Sequence, residues 1–222
     1  MDFEKIINSS VYTFLDRLFS LVLINILWFI ISILGLGIFT IYPATLSMFI
    51  LLNAFVKKKS FPLFTAFFKT FIKVYWKAQK VFIIFLLIGI VLFFNIRIYY
   101  LQVIDNFSYV MFFGLIMTLI IMLLYLLALI QSFFVLLCFP EFKTLKTIKF
   151  SFILGVAFTF STLLVLIIFL VPLVIMIFYP FIFPLVFLIL ISFIIYISIK
   201  IIMPKYNKIS SNQKPLEITN FI

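Results

Sequence analysis

The sequence lacks several side chains on which enzymatic and metal chemistry depends. Its 222 residues include no histidine, one cysteine (Cys138) and six carboxylates, which are Asp2, Glu4, Asp16, Asp105, Glu141 and Glu217. It therefore has no Ser-His dyad, and no predicted membrane span holds paired aspartates or a cluster of metal-binding residues. A phosphate loop of the GxxxxGK type is also missing. We therefore predict that the protein is not an enzyme and has no catalytic, cofactor-binding or metal-binding residues.

Charged residues are scarce and unevenly placed. They make up 10% of the chain, whereas hydrophobic residues make up 67%. Three long runs contain no charge at all, namely 18–56, 106–140 and 150–199. A transmembrane helix needs about 20 apolar residues, so these runs are too long for the core elements of a soluble domain. The sequence therefore predicts an all-α integral membrane protein.

The uncharged runs divide into six predicted transmembrane helices. The first run folds back at Gly35 and Gly37, because glycine ends helices and tolerates turn conformations, and Pro43 fits the first turn of the next helix. The last run divides at Phe178, Tyr179 and Pro180. The predicted spans are 18–32, 38–56, 81–100, 109–137 and two within 150–199. We expect a single six-helix membrane domain over 1–203 and a polar cytoplasmic tail over 204–222.

The basic residues determine the predicted orientation. Of the 17 lysines and arginines, 16 fall in segments on the inner side of this arrangement, and only Arg97 lies outside. Because lysine and arginine favour the cytoplasmic side, both termini are predicted to be cytoplasmic and the Gly35–Gly37 turn external. A five-span arrangement would move one basic cluster outward. This placement explains the net charge of +11 in a multi-pass cell-membrane protein without a nucleic-acid partner.

The segment between the second and third predicted spans is amphipathic. The pattern predicts a cytoplasmic interfacial helix near 61–80, with an aromatic stripe on one side and lysines at steps of three or four on the other. The stripe is expected to face lipid or protein, and the lysines to face water or the anionic headgroups of the inner membrane surface. The residues concerned are Phe64, Phe67, Phe68 and Phe71 in the stripe and Lys69, Lys73 and Lys77 among the lysines.

The first predicted hairpin carries a distinctive pattern, which comprises Asn25, Trp28, Gly35, Gly37, Pro43, Ala44 and Thr45. With the phenylalanine- and lysine-rich segment that follows, it resembles the N-terminal signature of the YesL family of bacterial membrane proteins. Members of that family are commonly encoded beside carbohydrate ABC importers. The resemblance implies an accessory, non-catalytic subunit that binds the permease subunits of an oligosaccharide importer. The hairpin residues are then a candidate interface or packing motif.

A second class of function is an independent carrier or channel for a small neutral solute. Asn25, Asn53 and Gln131 would then line its path and face one another. The alternative for each is a hydrogen bond that joins two helices. No carboxylate lies well inside a predicted span, which argues against a proton-coupled carrier.

Overall fold

The protein is built from α-helices. A computed structural model describes residues 10–57, 61–105, 107–179, 183–209 and 216, and every regular element within them is helical. This confirms the all-α prediction. The helices are α1 (Ser10–Leu34), α2 (Ile41–Val56), α3 (Leu63–Asp105), α4 (Tyr109–Cys138), α5 (Thr144–Ala157), α6 (Thr159–Phe178) and α7 (Phe183–Ile209).

Three of the described helices are long and apolar enough to cross a membrane. They are α3, α4 and the part of α7 from Leu190 to Ile209. A fourth span results if α5 and Thr159–Leu170 of α6, which meet at a bend of 94°, count as one. The apolar part of α1 (Leu18–Leu34) and α2 are shorter, below the roughly 20 residues that cross the hydrocarbon core. The helices therefore indicate a membrane-embedded protein, and the prediction of six spans is not confirmed.

The turn between α1 and α2 lies where the glycines predicted it. The Gly37 N–H donates to the Ser32 carbonyl at 2.8 Å and the Leu36 N–H donates to the Ile33 carbonyl at 3.0 Å. This pair of bonds defines a Schellman motif, in which one residue adopts the left-handed conformation. Leu36 occupies that position with φ 56°, where glycine is the usual residue because it has no Cβ. The turn therefore contains a strained leucine.

Replacing Leu36 with glycine is expected to stabilise the protein by up to about 1 kcal/mol, because glycine adopts a positive φ without steric cost. Leu34→Gly is the matched control, since Leu34 is similarly exposed but ends α1, where glycine weakens a helix. The thermal unfolding midpoint in detergent measures both changes. An equal loss of stability in the two variants would contradict this account of the turn.

The amphipathic segment 61–80 is not a separate helix. It forms the N-terminal part of α3, which continues without a break for 43 residues to Asp105. The physical reason is that no glycine or proline occurs between Leu63 and Ile88, so nothing stops the helix where the lysines end. At roughly 1.5 Å per residue α3 is about 64 Å long, about twice the thickness of the hydrocarbon core.

The first hairpin packs beside the lysine-rich half of α3. The rings of Tyr42 and Phe82 stack with their centroids 5.4 Å apart, and the Gln79 side-chain nitrogen lies 3.5 Å from the Ile38 carbonyl oxygen. These contacts bring the α1–α2 turn to the level of Lys80. The sequence predicts that the turn lies on the outer side and Lys80 on the inner side, and this predicted topology is not confirmed.

In the C-terminal part, one boundary agrees with the prediction and two others differ from it. The predicted division at 178–180 agrees with the end of α6 at Phe178, and 180–182 lie outside the described residues. A further break occurs at Phe158, between α5 and α6. Helix α7 runs through Pro204 to Ile209, and Tyr206 is completely buried. Residues 204–209 are therefore helical, with Tyr206 packed in the core and most of the other side chains exposed, whereas their polarity predicts the start of a tail. Beyond them only Leu216 is described.

Helix α2 forms the centre of the core. Twelve of its 16 residues are buried, and it packs against α1, α3, α4 and α7. Its aromatic contacts show how it is enclosed, since Phe49 packs on Phe134 of α4 at 5.2 Å and Phe55 on Tyr196 of α7 at 6.3 Å. Neighbouring protein, more than lipid, therefore surrounds this apolar helix.

Candidate functional site

The hairpin motif contains a direct side-chain bond between α1 and α2. The Trp28 indole N–H donates to the Thr45 hydroxyl at 2.9 Å, and that hydroxyl donates to the Ile41 carbonyl at 2.6 Å. Tryptophan has one polar hydrogen and threonine one hydroxyl, so each is used within the hairpin. This pair holds the two helices in a fixed register.

The remaining motif residues support the same hairpin. Gly35 and Gly37 lie in the turn, where a side chain on Gly35 would overlap Thr40 and Gly37 adopts φ +70°. Asn25, Pro43 and Ala44 are buried, and Thr40 donates to the Ser32 carbonyl at 3.2 Å across the turn. The motif residues thus all lie in one hairpin, which the Trp28–Thr45 bond and the turn at Gly35 and Gly37 close, and their geometry suits packing.

The aromatic and basic residues of α3 divide between its buried and its exposed sides. Phe67 is fully buried and Phe71 is half-buried, whereas Phe64 and Phe68 are exposed. The aromatic residues therefore lie on both sides of the edge of the core, with Phe67 and Phe71 turned toward it and Phe64 and Phe68 on the exposed side. Of the lysines, Lys69 and Lys73 are exposed, while Lys77 donates to the Pro140 carbonyl.

A buried polar cluster joins α4, α6 and α7. The Gln131 amide donates to the Thr162 hydroxyl at 2.5 Å, and the Tyr206 hydroxyl donates to the Gln131 oxygen at 2.6 Å. The Thr162 hydroxyl donates in turn to the Phe158 carbonyl at 2.9 Å. All three side chains are completely buried, and we call them the glutamine cluster.

The glutamine cluster lies at the break between α5 and α6. The Lys205 ammonium donates to the Ser161 hydroxyl and lies 5.5 Å from the centroid of the Phe158 ring. The Phe158 ring also packs on Tyr206, with centroids 5.8 Å apart. The end of α7 therefore fixes the bend of 94° between the two helices.

Sequence reasoning missed Thr162 and Tyr206 as partners of Gln131. They lie 31 and 75 residues further along the chain, and no local pattern links positions so far apart. It also missed Tyr42 and Ser132, whose hydroxyls are 2.6 Å apart across 90 residues. A buried glutamine in an apolar run was the only available signal, and it indicated the need for a partner without identifying one.

Several polar side chains of the core bind one another or the backbone, whereas the buried hydroxyl oxygens of Ser32 and Thr70 have no hydrogen-bond partner within the described residues. The hydrogen bonds of Gln131 go to Thr162 and Tyr206, and to neither Asn25 nor Asn53. Among the described residues, no group of three or more His, Cys, Asp and Glu side chains could hold a metal ion. The carboxylates Asp16, Asp105 and Glu141 are exposed, and the Cys138 thiol is buried 3.7 Å from the Met203 sulfur. This arrangement is suited to holding helices together.

The comparisons with known proteins identify one region. Residues 21–96 match the family described as "Protein of unknown function, DUF624", and they cover most of α1, all of α2 and most of α3. No curated protein and no solved structure matches the chain. The matched region contains the Trp28–Thr45 bond, the glycine turn and the lysine-rich half of α3. The chain thus carries a DUF624 domain over residues 21–96, and DUF624 is the family to which the YesL proteins belong.

Proposed function

We propose that this multi-pass protein of the cell membrane is an accessory, non-catalytic subunit of a carbohydrate ABC importer and binds its permease subunits. The DUF624 match over 21–96 supports the proposal, because the YesL proteins that it resembles are commonly encoded beside oligosaccharide importers. The observation that carries it is that the α1–α2 hairpin of this region uses Trp28 and Thr45 for a bond within the hairpin. The outward side of α1 is therefore left to apolar packing, and the exposed lysines of the region lie on α3.

The outward side of α1 is the surface that we assign to a permease helix. Ile26, Ile30 and Ile33 are exposed on it, and steps of four and three residues place them on one side of a helix. In lipid, helices associate by close packing and by hydrogen bonds between them. A row of isoleucines within the family-matched region offers such a packing surface.

The cytoplasmic side is assigned from the basic residues. Lys69, Lys80, Lys149 and Lys200 are all exposed, and lysine favours the cytoplasmic face of a membrane protein. Because the α1–α2 turn lies at the level of Lys80, the same reasoning places that turn toward the cytoplasmic side. The exposed tip between α3 and α4, which follows Arg97 and Asp105, then lies on the opposite side.

An independent carrier or channel is the alternative. That function would need Asn25, Asn53 and Gln131 to offer hydrogen bonds to a solute along one path. Gln131 already bonds Thr162 and Tyr206 in a buried cluster, which favours the accessory role. Solute flux in liposomes that contain only this protein would favour the carrier or channel over the accessory role.

Bulky substitutions on α1 test the accessory role. Ile30→Trp with Ile33→Trp should reduce recovery of importer permeases with the tagged protein by about tenfold, because overpacking a tight contact costs about 1–3 kcal/mol. Leu119→Trp with Ile120→Trp is the matched control on α4, with similar exposure but outside residues 21–96. The measurement is co-purification from membranes in mild detergent. Recovery of the wild-type protein alone, with unchanged sugar uptake in a deletion strain, would refute the proposal.

A further inference from the structure

The N-terminal half of α3 exposes an apolar stripe. It consists of Phe64, Phe68, Ile72 and Trp76, and we call it the outer stripe. Successive members are four residues apart and therefore lie along one side of the helix. Trp76 is 72% and Ile72 71% exposed, which is unusual for such large side chains in contact with water. Within the described chain, the packing of α3 on α2 leaves this stripe uncovered.

Exposed lysines run beside the outer stripe. Lys69 and Lys73 each follow a member of the stripe by one residue, and Lys80 follows Trp76 by four. Lysine side chains can rest their methylene groups on apolar surface while the ammonium reaches polar groups. Basic residues near the cytoplasmic surface are attracted by anionic lipids. An apolar stripe with lysines along its edge therefore matches the boundary between acyl chains and anionic headgroups.

The outer stripe continues into the apolar half of the same helix. Ile90 lies 18 residues after Ile72, and Phe94 lies 18 residues after Trp76; all four are exposed. Eighteen residues make about five complete turns of an α-helix, so each pair lies on the same side of α3. The C-terminal half is the apolar part of a candidate membrane span, where an exposed side contacts lipid. This continuity favours lipid over a second protein as the occupant of the stripe.

We propose that the outer stripe and Lys69, Lys73 and Lys80 bind anionic phospholipids of the cytoplasmic leaflet. The four apolar side chains enter the upper acyl region, and the ammonium groups contact lipid phosphates. Helix α3 is then tilted, because a helix of about 64 Å that keeps one side in lipid cannot stand upright in the membrane. The proposal does not depend on the importer role.

Tryptophan fluorescence provides the first test, because the chain has two tryptophans and the other, Trp28, is buried. The full-length protein and its Trp76→Phe variant are reconstituted in phosphatidylcholine vesicles that contain phosphatidylglycerol. The difference between their spectra reports Trp76. We expect brominated acyl chains to quench that signal and aqueous acrylamide to leave it nearly unchanged. Quenching by acrylamide alone, or by neither agent because a second copy of the chain covers the stripe, would overturn the proposal.

The second test separates charge from apolar contact. Lys69→Gln, Lys73→Gln and Lys80→Gln together should lower the preference of the protein for phosphatidylglycerol over phosphatidylcholine by about tenfold or more. The corresponding triple arginine variant keeps the charges and should retain the preference. Lipid that remains bound after purification from mixed vesicles measures it. An equal preference in the glutamine and arginine variants would overturn the role of the lysines.

Discussion

Gly35→Ala should prevent the first hairpin from closing, whereas Gly37→Ala should be tolerated. A Cβ atom on Gly35 would lie 2.6 Å from the Thr40 Cβ and overlap the rest of that side chain. Such overpacking costs about 3 kcal/mol or more when the neighbour cannot move, and Thr40 is held by its bond to the Ser32 carbonyl. A methyl group on Gly37 would meet no atom within 4 Å. Its only cost is the φ of +70°, at about 1 kcal/mol.

The amount of each variant in the membrane and its thermal unfolding midpoint measure this difference. Combining Gly35→Ala with Thr40→Gly removes the obstructing side chain and should restore part of the accumulation. The steric explanation fails if Gly35→Ala and Gly37→Ala accumulate equally, or if Thr40→Gly brings no recovery. The comparison distinguishes two uses of glycine that a sequence pattern treats alike, namely space for a neighbour and access to a positive φ.

Gln131→Leu should destabilise the protein by about 2–4 kcal/mol. The change removes the acceptor of the buried Tyr206 hydroxyl and the donor to Thr162, and a buried polar group without a partner costs about 1–3 kcal/mol. Adding Tyr206→Phe removes the orphaned hydroxyl as well. The double variant should therefore be more stable than Gln131→Leu alone, although both changes affect the core.

Thermal unfolding of the two single variants and the double variant forms a cycle that isolates the interaction. Gln102→Leu is the matched control, because Gln102 is exposed on α3 and its replacement should have little effect. Strictly additive losses for Gln131 and Tyr206 would show that the bond between them contributes nothing. The cluster would then be incidental to the bend between α5 and α6.

The sequence predicted the local features of this fold that depend on particular residues. Gly35 and Gly37 marked the α1–α2 turn because Gly35 leaves space for Thr40 and Gly37 adopts a positive φ without steric cost. The end of α6 at Phe178 was predicted from the prolines that follow it. The lysines at 69–80 instead predict a separate helix, because a change of polarity is typical of the boundary between two elements. Helix α3 continues through that point since backbone hydrogen bonding does not depend on side-chain polarity.

The parts that the sequence did not predict depend on distant contacts. The break at Phe158 has no proline, and its nearest glycine, Gly155, lies within the last turn of α5; the break is held by Lys205 and Tyr206 from the end of α7. The burial of Tyr206 depends in the same way on Phe134, Phe139 and Gln131. For the candidate site, the hairpin motif was identified from its residues, whereas the side of α3 that faces the core became visible only through its packing on α2.

The enclosure of α2 has a consequence for synthesis. Its residue Phe55 packs on Tyr196, which the ribosome adds 141 residues later. At about 5–20 residues per second, Tyr196 is synthesised roughly 7–28 s after Phe55. During that interval the apolar surface of α2 must be held by lipid or by an insertion factor. We expect chains truncated before α7 to be degraded by membrane proteases, because α2 then lacks the last helix that encloses it.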